Sequence, residues 1–353
     1  MSNASIKTKD VQASSYYSAD VFSGVGGLSE GMSQAGFETK VAIEIEADAV
    51  LAFKMNHTTT DVIERDIKKI TAAEIKQKLN GQPLHLLAGC PPCQGFSSVR
   101  RLNRKRNVRD ERNSLVMQYV RLVRELHPLT IMMENVPALK DYYLFKEAVE
   151  ELDELGYHPK YKVVNVRDYG VPQRRRRLVL VGSILGEIEV ADGNGEKVTV
   201  RDAIGGLPRI EETNDPVHQI LPSHTPKVMK RIRLTPKDGG SWKDLPKEYI
   251  LKCHDKENVG FNDIYGRLRW DDYSTTITGG CLNPSKGRFL HPEEDRCITA
   301  REAALLQSFP ISYKFPTNIS KTSLALLIGN ALPPKFSYIQ SLNIKKHLDK
   351  YLG

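Results

Sequence analysis

Between residues 17 and 182, short apolar runs alternate with helical patterns, an order that a chain satisfies most simply with a parallel sheet. Apolar runs at 17–22, 40–45, 84–89, 129–136, 161–166 and 178–182 read as strands. Helices are expected at 28–35, closed by Gly36, and at 47–56. Two more follow the helical spacing of Leu115, Tyr119, Leu122 and Leu126 before Pro128, and of Phe145, Val149 and Leu152 before Gly156. Such strands are buried on both sides, so helices must cover both faces of the sheet. Residues 1–182 are thus expected to form an α/β unit on a mostly parallel, doubly wound sheet.

From 183 to 296 the alternation is lost, and Pro, Gly and charge dominate, as in Gly205-Gly206-Leu207-Pro208 and Lys237-Asp238-Gly239-Gly240. This stretch is expected to be a smaller, irregular domain. Helical periodicity returns at 299–307 and after Pro334, so 297–353 should rejoin the first unit. No apolar run approaches the ~18 residues of a membrane helix. The polar first eleven residues do not read as a signal peptide. Five cysteines, an odd and sparse set, do not make a disulfide framework, and a reducing compartment is expected. A net charge of +8 suits a polyanionic partner.

Five segments carry chemistry. Asp20-Val21-Phe22-Ser23-Gly24-Val25-Gly26-Gly27 joins a strand to a helix, where glycines let backbone approach a ligand. Glu44 ends the next strand, where an acid can hold ribose hydroxyls, and Asp66 could hold an adenine amino group. A tight structural turn and a solvated acid are the competing readings. Cys90-Pro91-Pro92-Cys93-Gln94 follows an apolar strand, so a cysteine stands at the mouth of the sheet. A redox pair competes with a nucleophile there. Half a zinc site does not, since no second Cys-x-x-Cys or His-x-x-His exists.

Glu134-Asn135-Val136 ends another strand, and Glu134 reads as a proton handler or as a salt-bridge partner. The run Gln173-Arg174-Arg175-Arg176-Arg177 enters a strand. Alternation places Arg175 and Arg177 on one face, where they suit a carbonyl, carboxylate or phosphate. A basic stretch holding Arg100, Arg101, Arg104, Lys105, Arg106, Arg109 and Arg112 follows the cysteines. It reads as a solvated loop or a phosphate-binding one.

In this order the segments closely resemble the DNA cytosine-5 methyltransferase family, in particular its bacterial restriction-modification type members. The likeness runs through nearly the whole chain, from Phe22-x-Gly24-x-Gly26 through Pro92-Cys93-Gln94, Glu134-Asn135-Val136 and 173–177. It continues in Thr299-Ala300-Arg301-Glu302, Gln307-x-Phe309-Pro310 and Gly329-Asn330-Ala331. The resemblance implies a Rossmann-like S-adenosylmethionine-dependent methyltransferase domain with a target-recognition domain at 183–296. It implies that Cys93 rather than Cys90 is the nucleophile, with Glu134 on the cytosine edge and Arg175 and Arg177 close by. Phe22, Gly24, Gly26, Gly27, Glu44, Ile45, Asp66, Ile67, Leu115 and Asn330 would surround S-adenosylmethionine, and no metal is implied. Arg301 would support the recognition domain.

The implied partner is double-stranded DNA, with the target base flipped out of the stack. Arg104, Lys105 and Arg106 would meet phosphates. Arg267, Arg269 and Thr276, in a segment at 262–278, would face the major groove. A cognate restriction endonuclease would act on the same sequence. The chain would work as a cytoplasmic, nucleoid-associated monomer. Two departures stand out: His85 replaces a frequent Asp, and Ile45 stands where some relatives stack an aromatic on adenine. Three rivals remain. An RNA cytosine-5 methyltransferase would need less of 183–296; a silent DNA-binding protein would not need Cys93, Glu134 and Arg175. A nicotinamide-dependent oxidoreductase would share only the glycine loop.

Overall fold

The computed structural model describes residues 16–92, 114–252 and 263–353. Seven strands form one sheet: β1 (Tyr16–Val21), β2 (Phe37–Glu44), β3 (Asp61–Glu64), β4 (Leu86–Gly89), β5 (Thr130–Asn135), β6 (Lys160–Asn165) and β7 (Arg176–Ser183). Their order is β3-β2-β1-β4-β5-β7-β6. Every neighbouring pair is parallel except those of β7, which runs against both β5 and β6. The mostly parallel α/β expectation holds, with one reversed strand that an apolar run could not disclose.

Alternate residues of the central strands serve opposite faces. Leu87, Ile131, Met133, Leu178 and Leu180 join one core, with Val116, Tyr119, Val120 and Val123 of helix α4 (Leu115–Leu126). Helices α3 (Ala72–Leu79) and α5 (Tyr143–Glu154) complete that layer. Leu86, Ala88, Met132, Val179 and Val181 join the other core. There they meet Leu28 and Met32 of α1 (Gly27–Gln34), and Phe336, Ile344 and Leu348 of the last helix. Helix α2 (Ala47–Asn56) links β2 to β3.

Among the described residues after Ser183, none adds a strand to the sheet. Short helices α6 (Val200–Ile204) and α7 (Pro226–Leu234), several 3-10 turns and isolated bridges make up the stretch to 296. Helices α8 (Ala300–Leu306), α9 (Lys321–Asn330) and α10 (Pro334–Leu352) follow, and α10 lies along α1. A third core joins Leu268, Trp270 and Ile277 to Ala303, Phe309 and Ile328, and reaches Val25 and Ala52. Among the described residues, no helix is long and apolar enough to cross a membrane.

Candidate active site

The sheet order turns back between β1 and β4, and open α/β sheets bind ligands outside the carboxyl ends of strands at such a point. Beyond the end of β1 the chain bends sharply. Phe22 has φ 62°, a strained setting for an aromatic residue, and Gly24 and Gly26 follow at 55° and 92°. The Gly24 amide donates to Glu44 Oε2 at 2.7 Å, and the Ile45 and Glu46 amides donate to Oε1 at 2.8 and 3.0 Å. The Glu44 carboxylate is thereby fixed beside the loop. Ile45 is 57% exposed, an apolar side chain left uncovered next to it. Asp66 caps the turn Ile67–Lys69 by accepting from the Lys68 amide. The Ile67 side chain is buried in the core, so it can meet a ligand only through its main chain.

Two buried oxygens here, Asp20 Oδ1 near the end of β1 and Ser23 Oγ in the loop, have no hydrogen-bond partner among the described residues. Burial pushes the Asp20 carboxyl up to about 7, the Ser29 hydroxyl opposing and Glu44 adding. Polar atoms left bare inside a protein are costly, and here they border a loop open at Gly24.

A second cluster lies at the same edge. β5 ends in Glu134 and Asn135, and antiparallel pairing sets Glu134 against Val179 and Asn135 against Leu178. The start of β7 therefore arrives at the end of β5. Arg177 Nε meets Glu134 Oε1 at 2.6 Å, with both side chains nearly buried. Arg175 Nη1 donates to the carbonyls of Ile277 and Gly329 at 2.9 Å each, and its buried Nε has no partner among the described residues. Arg174 and Arg176 are exposed, as strand alternation requires. Two guanidinium groups and one carboxylate leave this edge one positive charge in excess.

Asn135 Nδ2 donates to the Pro91 carbonyl at 2.8 Å, pinning the chain just before Pro92 and Cys93. Burial, then Glu134 and Asp20, hold the Cys90 thiol well above its ordinary range. It stays protonated at neutral pH and is a poor nucleophile. Among the described residues, no group of His, Cys, Asp and Glu is arranged to hold a metal.

The profile of C-5 cytosine-specific DNA methylases matches residues 16–346. The chain belongs to that family. This methylase is 35% identical over 347 residues to the type II methylase M.HgiDII of Herpetosiphon aurantiacus, covering 94% of this chain and 95% of that one. It is 32% identical over 323 residues to the type II methyltransferase M1.HphI of Haemophilus parahaemolyticus, covering 89% and 82%. It thus resembles the bacterial restriction-modification type enzymes. An Escherichia coli prophage-encoded protein, solved under the description of a DNA modification methyltransferase, superposes with a TM-score of 0.73 at 25% identity, covering 95% and 100%. The Schizosaccharomyces pombe Dnmt2 methyltransferase gives 0.65 at 18%, covering 94% and 99%, a likeness of fold alone.

Of the residues expected around a cofactor, Phe22, Gly24, Gly26, Gly27, Glu44, Ile45 and Asp66 lie in or beside the loops just described, beyond the ends of β1, β2 and β3. Leu115 starts α4 half-buried, and Asn330 is an exposed residue ending α9, next to Gly329. Glu134, Arg175 and Arg177 come together. Cys93, Arg104, Lys105 and Arg106 lie outside the described residues.

Arg267 is a correction. It was expected to face the major groove, but it is fully buried. Its guanidinium donates to the carbonyls of Thr235, Ile232, His291 and Glu294 and to Asp295 Oδ1. Those contacts use its five N–H donors, so none is left for a base. Arg269, two residues on, is exposed and lies across Gly239. The Thr276 hydroxyl donates to the Arg174 carbonyl, which holds that segment against the arginine run. The Asn135 bond to Pro91 and the half-satisfied Asp20 had not been anticipated, since neither has a local sequence signature.

Proposed function

We propose that this methylase moves a methyl group from S-adenosylmethionine to carbon 5 of a cytosine flipped out of a specific DNA duplex, by way of a covalent bond to Cys93. The observation that carries this reading is the buried Glu134–Arg177 pair, with Arg175 beside it, at the edge where Pro91-Pro92 leads into Cys93. A carboxyl backed by guanidinium groups suits ring nitrogen 3 and the neighbouring carbonyl oxygen of cytosine.

The loop's features suit the cofactor. Glu44 offers a fixed acceptor for ribose hydroxyls, Asp66 one for an adenine amino group, and exposed Ile45 an apolar surface for the ring. The bare oxygens of Asp20 and Ser23 match a ligand rich in donors. S-adenosylmethionine, when bound, supplies an electrophilic methyl group.

The Cys93 thiolate adds to carbon 6, which makes carbon 5 nucleophilic. Glu134 shares a proton with ring nitrogen 3 to offset the developing charge, and Arg177 keeps Glu134 in place. Carbon 5 takes the methyl group and then loses its proton to a base. The carbon 6–sulfur bond breaks and returns the thiolate. Flipping is required because a stacked base exposes neither face of its ring. Sequence choice is placed in 183–296, with Arg269 and Thr276 on its DNA side and a cognate endonuclease acting on the same sequence.

The test uses a duplex with 5-fluorocytosine at the target. Fluorine cannot leave as a cation, so the adduct persists after methyl transfer. A denaturation-resistant complex is expected only with S-adenosylmethionine, lost in Cys93→Ser and kept in Cys90→Ser. No adduct on any duplex, with one on fluorinated RNA, would overturn the DNA reading.

A further inference from the structure

Two glycines of the cofactor loop, two residues apart, have opposite surroundings. Among the described residues, no atom lies within 4 Å of where a Cβ on Gly24 would stand. A Cβ on Gly26 would meet His57 Nε2 at 2.6 Å and Tyr313 Oη at 2.7 Å. Gly24 therefore leaves room on the open side, while Gly26 leaves room for protein behind it.

The contacts behind the loop are specific. The Tyr313 hydroxyl donates to the Val25 carbonyl at 2.5 Å, which commits its one proton. His57 Nε2 lies 3.2 Å from the same oxygen and, with that proton committed to Val25, is placed to donate to it. Burial lowers the His57 pKa to about 4, which keeps the ring uncharged at neutral pH.

Both side chains are braced from outside the loop. Asn56, the last residue of α2, exchanges two hydrogen bonds with the backbone of Lys314, at 2.9 and 2.8 Å. Arg301 Nη1 donates to the Tyr313 carbonyl. The ring of Phe53 packs on His57, and those of Phe309 and Phe315 pack on Tyr313.

We propose, resting on the cofactor reading above, that Tyr313 and His57 are positioning residues which hold the Val25–Gly26 corner so that the Gly24 side is preshaped for S-adenosylmethionine. They act through the loop. Removing their hydroxyl or ring nitrogen lowers affinity for the cofactor and leaves DNA binding and the chemical step unchanged.

The experiment measures S-adenosylhomocysteine binding by calorimetry for wild type, Tyr313→Phe, His57→Ala and His57→Gln, beside steady-state kinetics. Loss of one hydrogen bond corresponds to roughly a three- to tenfold weaker Kd. Tyr313→Phe and His57→Ala should show that loss, with a parallel rise in KM for S-adenosylmethionine. The kcat at saturating cofactor and KM for DNA should hold. His57→Gln keeps a donor for Tyr313 Oη and should recover most of the affinity. Should Tyr313→Phe fail to fold, the two His57 variants decide alone. Folded variants with wild-type Kd would overturn the proposal, as would equal losses for cofactor and DNA. A wild type that binds neither S-adenosylhomocysteine nor S-adenosylmethionine would instead overturn the cofactor reading beneath it.

Discussion

Replacing Asp20 by asparagine should remove a loss of stability that the ligand-free protein suffers between pH 5 and pH 8. Asp20 is fully buried; its Oδ2 accepts from Ser29 Oγ at 2.6 Å and its Oδ1 has no partner among the described residues. Burial raises its pKa from 3.8 to about 7. The sign follows from linkage: the folded state holds the proton more tightly than the unfolded chain does. The stabilisation is complete below pH 3.8 and is lost as pH rises through about 7. Three units are worth about 4 kcal/mol in all, and the part lost between pH 5 and 8 is about 2.5 kcal/mol. Urea unfolding of wild type and Asp20→Asn at several pH values isolates this group, because the other titrations cancel in the difference. The wild-type minus variant stability should fall by about 2.5 kcal/mol across that range. A flat difference would show that Asp20 is ionised throughout and that other interactions offset its burial.

Further outcomes concern the basic residues. Arg267→Met should cost roughly 3–5 kcal/mol in stability, read from the urea midpoint, because it strips several buried acceptors of their donor; wild-type stability would refute the cage. Arg269→Ala should leave the melting temperature unchanged and relax one position of the methylated sequence, about 1–3 kcal/mol of discrimination, checked by mapping 5-methylcytosine. An unaltered site would remove Arg269 from base reading. Replacing Arg104, Lys105 and Arg106 by Ala should flatten the slope of log affinity against log salt by about 0.9 for each phosphate these side chains neutralise, with the methylated sequence kept. A slope equal to wild type would show that these three side chains meet no phosphates.

Some of this was legible in the sequence, for physical reasons. Strands buried on both faces are continuous apolar runs, and those of β1, β2, β4 and β5 stood out. β3 did not, because it is a four-residue edge strand that begins with Asp61 and ends with Glu64. Helix α3 was missed although Thr71 and Glu74 form its capping box. Arg175 and Arg177 were placed together by strand alternation alone. Arg267 was misread because a charge in a Pro- and Gly-rich stretch suggests a solvated loop. The counter-signal was the apolar company of Ile264, Tyr265 and Leu268, all buried with it. His57 and Tyr313 lie 256 residues apart, and no local pattern joins them.

The reversal of β7 does more than complete the sheet. At about 3.3 Å per residue, its eight residues span roughly 26 Å. Run parallel to β5 over the same six pairs, the strand would begin at the far edge and leave Arg177 about five residues, roughly 16 Å, from Glu134. Run antiparallel, it brings the whole segment between β6 and β7 to the carboxyl edge. That segment is also where residues 274–277 dock. Ser274 donates through its amide to the Pro172 carbonyl, Arg174 donates to the Ser274 carbonyl, and the Ile277 amide donates to Gln173 Oε1. Arg175 closes the contact through the Ile277 carbonyl. The residues that orient Glu134 and those that seat the region after Ser183 are therefore neighbours on one stretch of chain. A change that loosens the docking of residues 274–277 thus acts on the same stretch of chain that carries Arg175 and Arg177.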